Sequence, residues 1–301
     1  MKKWTKKEVP DLSGKVIIVT GGNSGLGFES VKLFTEKGAD VVMACRSLAR
    51  GEAARAKLAR PENVEVMLLD LLDFDSIRSF AVAFKQKYQR LDVLMNNAGV
   101  MMRPYELAAC GVESQLASNH LGHFLLTHSL LDYIAQTKGS RVVSLSSLAH
   151  KKGVFELNNI NYDEGKSYDP MTAYRRSKLA NLLFAIKLQD YFESRGIEAL
   201  SLIAHPGVVP TNLVNHTIAP LWRPLLRPLA QLFLQSPRQG ALPQVRAAVG
   251  SGVKGGDFFG PSSKKEWRGS PVRVEAEARV CRAKWADDLW AFSEKICGCK
   301  Y

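Results

Sequence analysis

Short apolar runs rich in β-branched residues alternate with longer stretches of helical periodicity along most of the chain. The runs predict strands at Lys15–Thr20, Asp40–Cys45, Asn63–Leu68, Leu91–Asn96, Ser140–Leu145, Ile197–Ile203 and Asp257–Phe259. The stretches between them predict helices at 25–37, 48–59, 73–88, 112–137, 170–194 and 237–249. Nearly continuous apolar strands separated by helices indicate a parallel sheet covered on both faces. The pattern therefore predicts a Rossmann-type α/β fold: a doubly wound, mostly parallel, seven-stranded sheet with helices on both faces.

Neither a linker nor a repeat divides this pattern, so we expect a single domain over residues 1–301 with its core at 13–260. The insertion 212–237 departs from the alternation because it is apolar and carries prolines at 220, 224 and 228, which interrupt a helix. It fits a lid over an apolar cleft, or a membrane-contacting segment in which Trp222, Arg223 and Arg227 interleave with leucines. The C-terminal tail, 261–301, is predicted to hold one amphipathic helix at Glu275–Ile296.

The composition is that of a globular protein with a basic surface. Apolar residues make up 46% and charged residues 23% of the chain, which excludes a disordered or fibrous protein. The net charge of +12 favours an anionic partner such as a phosphorylated cofactor or an acidic membrane surface. No nucleic-acid recognition motif is present, so nucleic acid is not an expected partner. The five cysteines are scattered without a CxxC pair, and no signal peptide or membrane span is predicted. We therefore expect a cytoplasmic protein, with peripheral membrane contact left open.

A glycine-rich turn follows the first predicted strand and opens a helix. In Thr20-Gly-Gly-Asn-Ser-Gly-Leu-Gly27 the glycines let the backbone bend sharply and approach a ligand, and the helix start offers N–H groups to a pyrophosphate. The second strand ends at Arg46 without a carboxylate. Because an acidic residue there would bind the ribose of NAD, whereas arginine accommodates the 2′-phosphate of NADP, the sequence predicts NADP(H).

A second group of polar residues predicts proton-transfer chemistry. Tyr174 and Lys178 are four residues apart on a predicted helix and share one face. A lysine beside a phenol favours the phenolate, which gives a proton donor and acceptor for carbonyl/alcohol interconversion. Ser147 ends a buried strand, where its hydroxyl could orient a carbonyl oxygen. No metal site is predicted, because His120, His123 and His128 have no clustered carboxylate or cysteine partners.

Over residues 13–260 the chain resembles the short-chain dehydrogenase/reductase (SDR) family. The resemblance rests on the glycine-rich turn, Asp70-Leu71, Asn96-Asn-Ala-Gly99, Asn119, Ser147, Tyr174-Arg-Arg-Ser-Lys178 and Pro206-Gly-Val-Val-Pro-Thr211, in the family's order. It implies that Tyr174 is the general acid/base, that Lys178 lowers its pKa and binds the nicotinamide ribose, and that Ser147 binds the substrate oxygen. It further implies that Asn119 holds a relay water near the lysine.

The same resemblance implies the cofactor contacts. Asp70 would touch the adenine, Asn97 the adenosine ribose, and Val209 and Thr211 the carboxamide. The full implied set is Gly21, Asn23, Ser24, Gly25, Leu26, Gly27, Arg46, Asp70, Leu71, Asn97, Ala98, Gly99, Tyr174, Lys178, Pro206, Gly207, Val209 and Thr211.

Within the family, the strings Ala44–Arg46, Asn119–Thr127, Ser146–His150 and Ser177–Asn181 resemble the retinol dehydrogenase and WW-domain oxidoreductase branch. This implies an NADP(H)-dependent enzyme for a lipophilic alcohol, aldehyde or ketone, and a homo-oligomer, dimer or tetramer, formed through the helices at 112–137 and 170–194. Because no apolar anchor or WW module precedes the first strand, specificity for retinol itself is not expected. The insert 151–169 suggests an enlarged substrate site. Two alternatives stay open: a non-catalytic NADP(H)-sensing regulator, and a binder of acidic polymers that uses the basic surface.

Overall fold

A single sheet of eight strands runs through the computed structural model, which describes residues 3–209, 235–276 and 283–301. The strands are β1 Val16–Thr20, β2 Asp40–Cys45, β3 Val64–Leu68, β4 Val93–Asn96, β5 Arg141–Leu145, β6 Leu200–Ala204, β7 Phe258–Pro261 and β8 Pro271–Val274. Their order is β3-β2-β1-β4-β5-β6-β7-β8. The pairs from β3 through β7 are parallel, and β8 pairs with β7 in the antiparallel direction. The predicted doubly wound fold is confirmed.

The strands are apolar on both sides because each face of the sheet packs against helices. In β1, Val16 and Ile18 belong to one buried cluster, whereas Ile17 and Val19 belong to the other. Alternate side chains of a strand point to opposite faces, so one short apolar run supplies both cores. The register places Ile18 between Val42 of β2 and Leu94 of β4.

The helices divide between these two faces. Their bounds are α1 Gly25–Glu36, α2 Leu48–Arg55, α3 Phe74–Lys87, α4 Ser114–Leu116, α5 Gly122–Ser129, α6 Leu131–Gln136, α7 Pro170–Ser194, α8 Pro237–Gly240, α9 Leu242–Val249 and α10 Ala283–Cys297. Helices α3, α5, α7 and α10 contribute to the first buried cluster, and α1, α2 and α9 to the second. A π-helical turn, Ala117–Leu121, joins α4 to α5.

Several sequence-based boundaries differ from the structure. The helix expected at 112–137 is interrupted by the π-helical turn and ends at Ser129, where Leu130 leaves helical geometry before α6. The helix expected at 237–249 divides at Ala241, since Pro243 lies in the first turn of α9, where its missing N–H is tolerated. The sheet has eight strands rather than seven because Pro271–Val274, expected to be part of the tail, pairs with β7. Glu275 and Ala276 are not helical, and the described part of the last helix spans Ala283–Cys297.

None of the helices in the described residues combines the length and the apolar character that crossing a membrane requires.

Candidate active site

The carboxyl end of β1 leads into a turn that only glycine can form. Gly21 has a φ of 65°, in the left-handed region that favours glycine. A Cβ on Gly27 would lie 2.4 Å from the carbonyl oxygen of Gly21 and 2.6 Å from Nδ2 of Asn97. The N-cap residue Ser24 makes no side-chain cap hydrogen bond. The first N–H groups of α1 have no intrahelical acceptor, so they are available to an anionic ligand.

This turn forms one wall of a cleft of about 360 Å³ at the carboxyl end of the sheet. Most of the predicted cofactor residues line it: Gly21, Asn23, Ser24, Gly25, Leu26, Gly27, Arg46, Leu71, Asn97, Ala98 and Gly99. The structure adds Arg50 and Arg103, which the sequence reasoning missed because neither lies in a recognised motif. Among the described residues that line the cleft, none is Asp or Glu. The cleft is therefore a cationic site with a glycine-rich floor.

Asp70 does not line the cleft. Its carboxylate Oδ1 accepts the Leu72 N–H at 3.0 Å, and its own N–H donates to Ser76 Oγ at 3.0 Å. These bonds shape the turn after β3 that brings Leu71 to the cleft. The predicted contact between Asp70 and an adenine stays a prediction.

Hydrogen bonds fix the end of β4 against the end of β1. The Thr20 hydroxyl oxygen accepts the N–H groups of Asn97 at 3.0 Å and Ala98 at 2.9 Å. Asn97 Nδ2 donates to the Thr20 carbonyl at 2.7 Å, and Gln244 Nε2 of α9 donates to Asn97 Oδ1 at 3.1 Å. The Asn97 side chain therefore shapes the cleft from within the protein, and Gln244 is a supporting residue that no motif indicates.

Asn119 lies in the π-helical turn and ties it to the strand end after β4. Its Oδ1 accepts the Val100 N–H at 2.7 Å, and its Nδ2 donates to the Val100 carbonyl and to Ser177 Oγ, both at 2.9 Å. A Cβ on Gly99 would lie 3.2 Å from Lys178 Nζ and 3.3 Å from Asn119 Oδ1. The structure thus brings Asn119 and Lys178 together beside the cleft.

His123 links the π-helical turn to the glycine-rich turn. Its Nδ1 is 2.9 Å from the Asn119 carbonyl oxygen, and its Nε2 is 2.9 Å from Thr20 Oγ1. Because a carbonyl only accepts, Nδ1 carries the proton and Nε2 accepts the threonine hydroxyl. Burial lowers the pKa of His123 to about 4, so the ring is neutral near pH 7. The sequence reasoning found the histidine but not this bridging position.

Tyr174, Lys178 and Ser147 meet between α7 and the end of β5. Asp169 caps α7 by accepting the Thr172 N–H at 2.7 Å, and Pro170 occupies the first turn. Both reactive side chains are buried: Tyr174 is 8% exposed and Lys178 is 5% exposed. Lys178 Nζ lies 5.9 Å from the centre of the Tyr174 ring and donates to the Leu145 carbonyl at 3.1 Å.

The environment of these groups favours a protonated phenol. Burial raises the pKa of Tyr174, and a hydrogen bond with the Ser147 side chain opposes that rise. Burial also lowers the pKa of Lys178, to about 8. Burial of the phenol therefore works against the expected lowering of its pKa by the lysine. At neutral pH the arrangement offers a phenolic proton beside a serine hydroxyl, which is the requirement for protonating a substrate oxygen.

The loop after β6 lies against the β7–β8 turn. Gly207 has a φ of 72°, and a Cβ there would lie 2.4 Å from the Trp267 carbonyl oxygen. Val209 is buried, and Pro206 accepts a hydrogen bond from Gln235 Nε2 at 3.1 Å. Thr211 lies outside the described residues, as does the insertion 212–237 apart from its last three residues, 235–237. The two interpretations of that insertion, a lid and a membrane contact, stay predictions.

An ion-pair cluster holds the loop after β6 in place. The sequence did not indicate this cluster. Glu266 in the β7–β8 turn lies 2.7 Å from His205 Nε2 and 2.7 Å from Lys151 Nζ. The hydrogen bond with His205, followed by the contacts with Lys151, lowers the pKa of Glu266 to about 2. The cluster joins the end of β6, the short 3-10 helix Leu148–Lys152 that follows Ser147, and the β7–β8 turn.

Known proteins resemble this chain over nearly its whole length. The sequence profile of the family described as short chain dehydrogenase matches residues 15–220. Retinol dehydrogenase 12 of Bos taurus is 38% identical over 96% of this chain and 88% of its own length. Human retinol dehydrogenase 11 is 39% identical over 89% of this chain and 83% of its own length. A crystal structure of an uncharacterized protein from Mycobacterium paratuberculosis superposes with a TM-score of 0.83 at 36% identity, over 100% of this chain and 99% of the other.

Proposed function

The chain belongs to the short-chain dehydrogenase family, in the branch of the retinol dehydrogenases, and on that premise we propose that it is an NADP(H)-dependent oxidoreductase. Its reaction is the interconversion of a lipophilic alcohol and its aldehyde or ketone. The observation that carries the proposal is the juxtaposition of Tyr174, Lys178 and Asn119 beside the cleft. Lys178 Nζ lies 5.9 Å from the centre of the Tyr174 ring, and Lys178 and Asn119 meet next to Gly99 of the cleft wall.

The residues of the cleft fit a phosphorylated dinucleotide. Added side chains at Gly21 and Gly27 would meet Asn97, Ala98 or the turn itself, so glycine lets the turn pack closely on the strand end after β4. Nothing lies within 4 Å of a Cβ added to Gly25, which lines the cleft, so the backbone there stays open to a ligand. Arg46 directly follows β2, where an acidic residue would disfavour a 2′-phosphate, and Arg50 lies in the first turn of α2. Both line the cleft and offer charge-assisted contacts to that group. We assign the 2′-phosphate to Arg46 and the pyrophosphate to the start of α1.

In the reductive direction Tyr174 donates its hydroxyl proton to the substrate oxygen while Ser147 hydrogen-bonds to the same oxygen. The bound nicotinamide supplies the hydride. Lys178 keeps a positive charge near the phenol, which stabilises the phenolate that remains after proton transfer. Because burial raises the pKa of Tyr174, the phenol holds its proton at neutral pH, and reduction slows as pH rises through that pKa. The reverse reaction needs the phenolate and accelerates in the same range.

The names of the relatives suggest the first substrates to test. Specificity for retinol itself is not expected from the sequence, but the bovine and human relatives are named retinol dehydrogenases. We therefore propose retinal as one substrate of this chain among other long apolar aldehydes. Medium-chain aldehydes and ketones belong in the same panel, since the proposed chemistry requires only a carbonyl oxygen within reach of Tyr174 and Ser147.

The cofactor assignment is tested by reversing the charge at Arg46. Arg46→Asp should raise the Kd of NADPH by about 30-fold more than that of NADH, because a charge-assisted phosphate contact contributes ~2 kcal/mol and a carboxylate repels phosphate. Arg55→Asp is the matched control: it makes the same charge change nearby, at the end of α2, where Arg55 pairs with Glu52 and does not line the cleft. Fluorescence titration measures both constants. Equal losses for the two nucleotides would show that Arg46 does not bind the 2′-phosphate.

A further inference from the structure

Residues 283–301, the C-terminal segment, pack on the helices that carry the reactive residues. Trp290 of α10 stacks on Phe184 and Tyr191 of α7, with ring centres 6.0 Å and 6.2 Å apart, and meets Phe124 of α5 edge-on at 5.3 Å. Tyr301 lies 4.9 Å from Phe124 and 4.7 Å from Trp290. The segment is therefore part of the main core and not an appendage.

Hydrogen bonds tie the segment to one side of the Asn119 helix, the run Ser114–Ser129 formed by α4, the π-helical turn and α5. Ser293 Oγ lies 2.7 Å from His120 Nε2, and the Tyr301 hydroxyl donates to the Phe124 carbonyl at 2.9 Å. Cys297 Sγ lies 3.6 Å from the Leu121 carbonyl oxygen. Residues 120, 121 and 124 follow one another on one side of a helix.

The bond between Ser293 and His120 has a defined direction. The Ser293 hydroxyl donates to the Leu289 carbonyl at 2.7 Å, so its oxygen accepts the Nε2 proton of His120. Burial lowers the pKa of His120 to about 3, which keeps the ring neutral. Loss of the serine hydroxyl would leave a buried N–H without an acceptor next to Asn119.

The other side of the same helix carries Asn119 and His123, four residues apart, which contact Val100, Ser177 and Thr20 as described above. The helix thus lies between the reaction site, on the side of Asn119 and His123, and the C-terminal segment on its opposite side. Its π-helical turn contains Asn119, and such turns are rare and concentrate at functional sites. The contacts that the C-terminal segment makes with this turn therefore help to fix the position of Asn119.

We propose that Ser293 and Tyr301 are positioning residues. They hold Asn119 in place and, through Asn119, the side of the reaction site that contains Lys178. The inference rests on the proposed oxidoreductase activity for its kinetic consequence. The two residues act through the Asn119 helix and touch neither the cleft nor the reacting groups.

The test compares Tyr301→Phe and Ser293→Ala with Tyr133→Phe. Tyr133 is the matched control because its hydroxyl also donates to a backbone carbonyl, that of Lys85 at 3.1 Å, between α6 and α3 and away from Asn119. Tyr301→Phe and Tyr133→Phe should each lower the free energy of unfolding by a similar amount, since each loses one such bond. Only Tyr301→Phe and Ser293→Ala should lower kcat, by about five-fold or more, because small displacements of positioning groups slow the reaction strongly. The Kd of NADPH should stay within about two-fold of the wild-type value, since the cleft is unchanged.

Hydrogen exchange of the backbone amides in 117–123 gives a second readout that needs no turnover. It should quicken in Tyr301→Phe and Ser293→Ala and remain unchanged in Tyr133→Phe. Unchanged exchange in this turn, or a kcat equal to that of Tyr133→Phe, would overturn the positioning role. A wild-type protein without turnover would count against the proposed function, and the exchange result would still decide this inference.

Discussion

Gly27 shows at the scale of one residue how closely the turn after β1 fits the strand end beside it. A Cβ at this position would lie 2.4 Å from the Gly21 carbonyl oxygen and 2.6 Å from Asn97 Nδ2, so one or both must move. Gly27→Ala should therefore raise the Kd of NADPH by about ten-fold or more while the chain still folds, because strain concentrates in the turn that binds the nucleotide. Isothermal titration calorimetry measures the change.

The control for this variant is Gly196→Ala. Gly196 has a φ of 63° in the turn after α7, and nothing surrounds its missing Cβ within 4 Å. This variant should lose roughly 1 kcal/mol of stability from backbone strain and bind NADPH as the wild type does. Wild-type affinity in Gly27→Ala would mean that the turn does not contact the nucleotide.

Single residues also show which parts of the site a sequence can predict. Gly21, Tyr174 and Lys178 stand at fixed spacings beside a strand or on one helix face, so local geometry indicates their role. Gln244 and Glu266 are isolated in the sequence, and only the folded chain brings them against Asn97 and His205. Their signal is a tertiary contact, which no local pattern contains.

At the scale of elements, the strands and helices were predicted well where apolar periodicity is regular and poorly where backbone geometry changes within an apolar stretch. The run 112–137 has the apolar spacing of an amphipathic helix, and nothing in that pattern marks the π-helical turn at Ala117–Leu121 or the break at Leu130. Strand β8 was missed because four residues pairing with the sheet edge leave only a weak alternation.

Buried histidines in these elements determine how the free energy of unfolding depends on pH. Burial lowers the pKa of His120 to about 3, and those of His123 and His150 to about 4, whereas an unfolded chain has values near 6.5. Below pH 6.5 the unfolded chain takes up protons that the folded chain does not. The histidines therefore make their full contribution to the free energy of unfolding above pH 6.5, and this contribution falls as the pH is lowered toward 4. Each histidine contributes up to ~1.4 kcal/mol per pH unit in this window. Burial raises the pKa of Glu113, which makes the folded chain more stable as the pH falls and so opposes the effect of the histidines. The three histidines outnumber this single carboxyl group.

Urea titrations at pH 7 and pH 5 check this dependence. The free energy of unfolding should be lower at pH 5, and the difference should shrink in His120→Gln, which removes one of the buried rings. Equal values for the wild type at the two pH values would contradict the neutral, buried state of these histidines.

At the scale of the whole molecule, the position of α10 restricts how the oligomer expected from the sequence can form. The sequence predicts a homo-oligomer through the helices at 112–137 and 170–194, and this stays a prediction. In the structure α10 covers parts of α5 and α7, where Trp290 and Tyr301 contact Phe124 and Tyr191. An oligomer that uses the covered parts of these helices must therefore include α10 in its interface or displace it.

Light scattering across a concentration series measures the outcome. A mass of two or four times 33.3 kDa is the result expected from the sequence. Trp290→Ala should then weaken the assembly if α10 forms part of the interface. A single-chain mass at all concentrations would contradict the oligomer and leave α10 as the permanent cover of these helix faces.

The central claim is that Tyr174 transfers a proton to a carbonyl substrate at an NADPH-binding site, and one measurement tests it most directly. NADPH oxidation by the purified protein is followed against retinal and a panel of apolar aldehydes and ketones, with Tyr174→Phe beside the wild type. The account predicts turnover by the wild type, loss of nearly all of it in Tyr174→Phe, and the same NADPH affinity in both. Tight NADPH binding by both proteins without turnover by either would contradict it and favour a nucleotide-sensing protein, whereas equal turnover by both would remove Tyr174 from the chemistry.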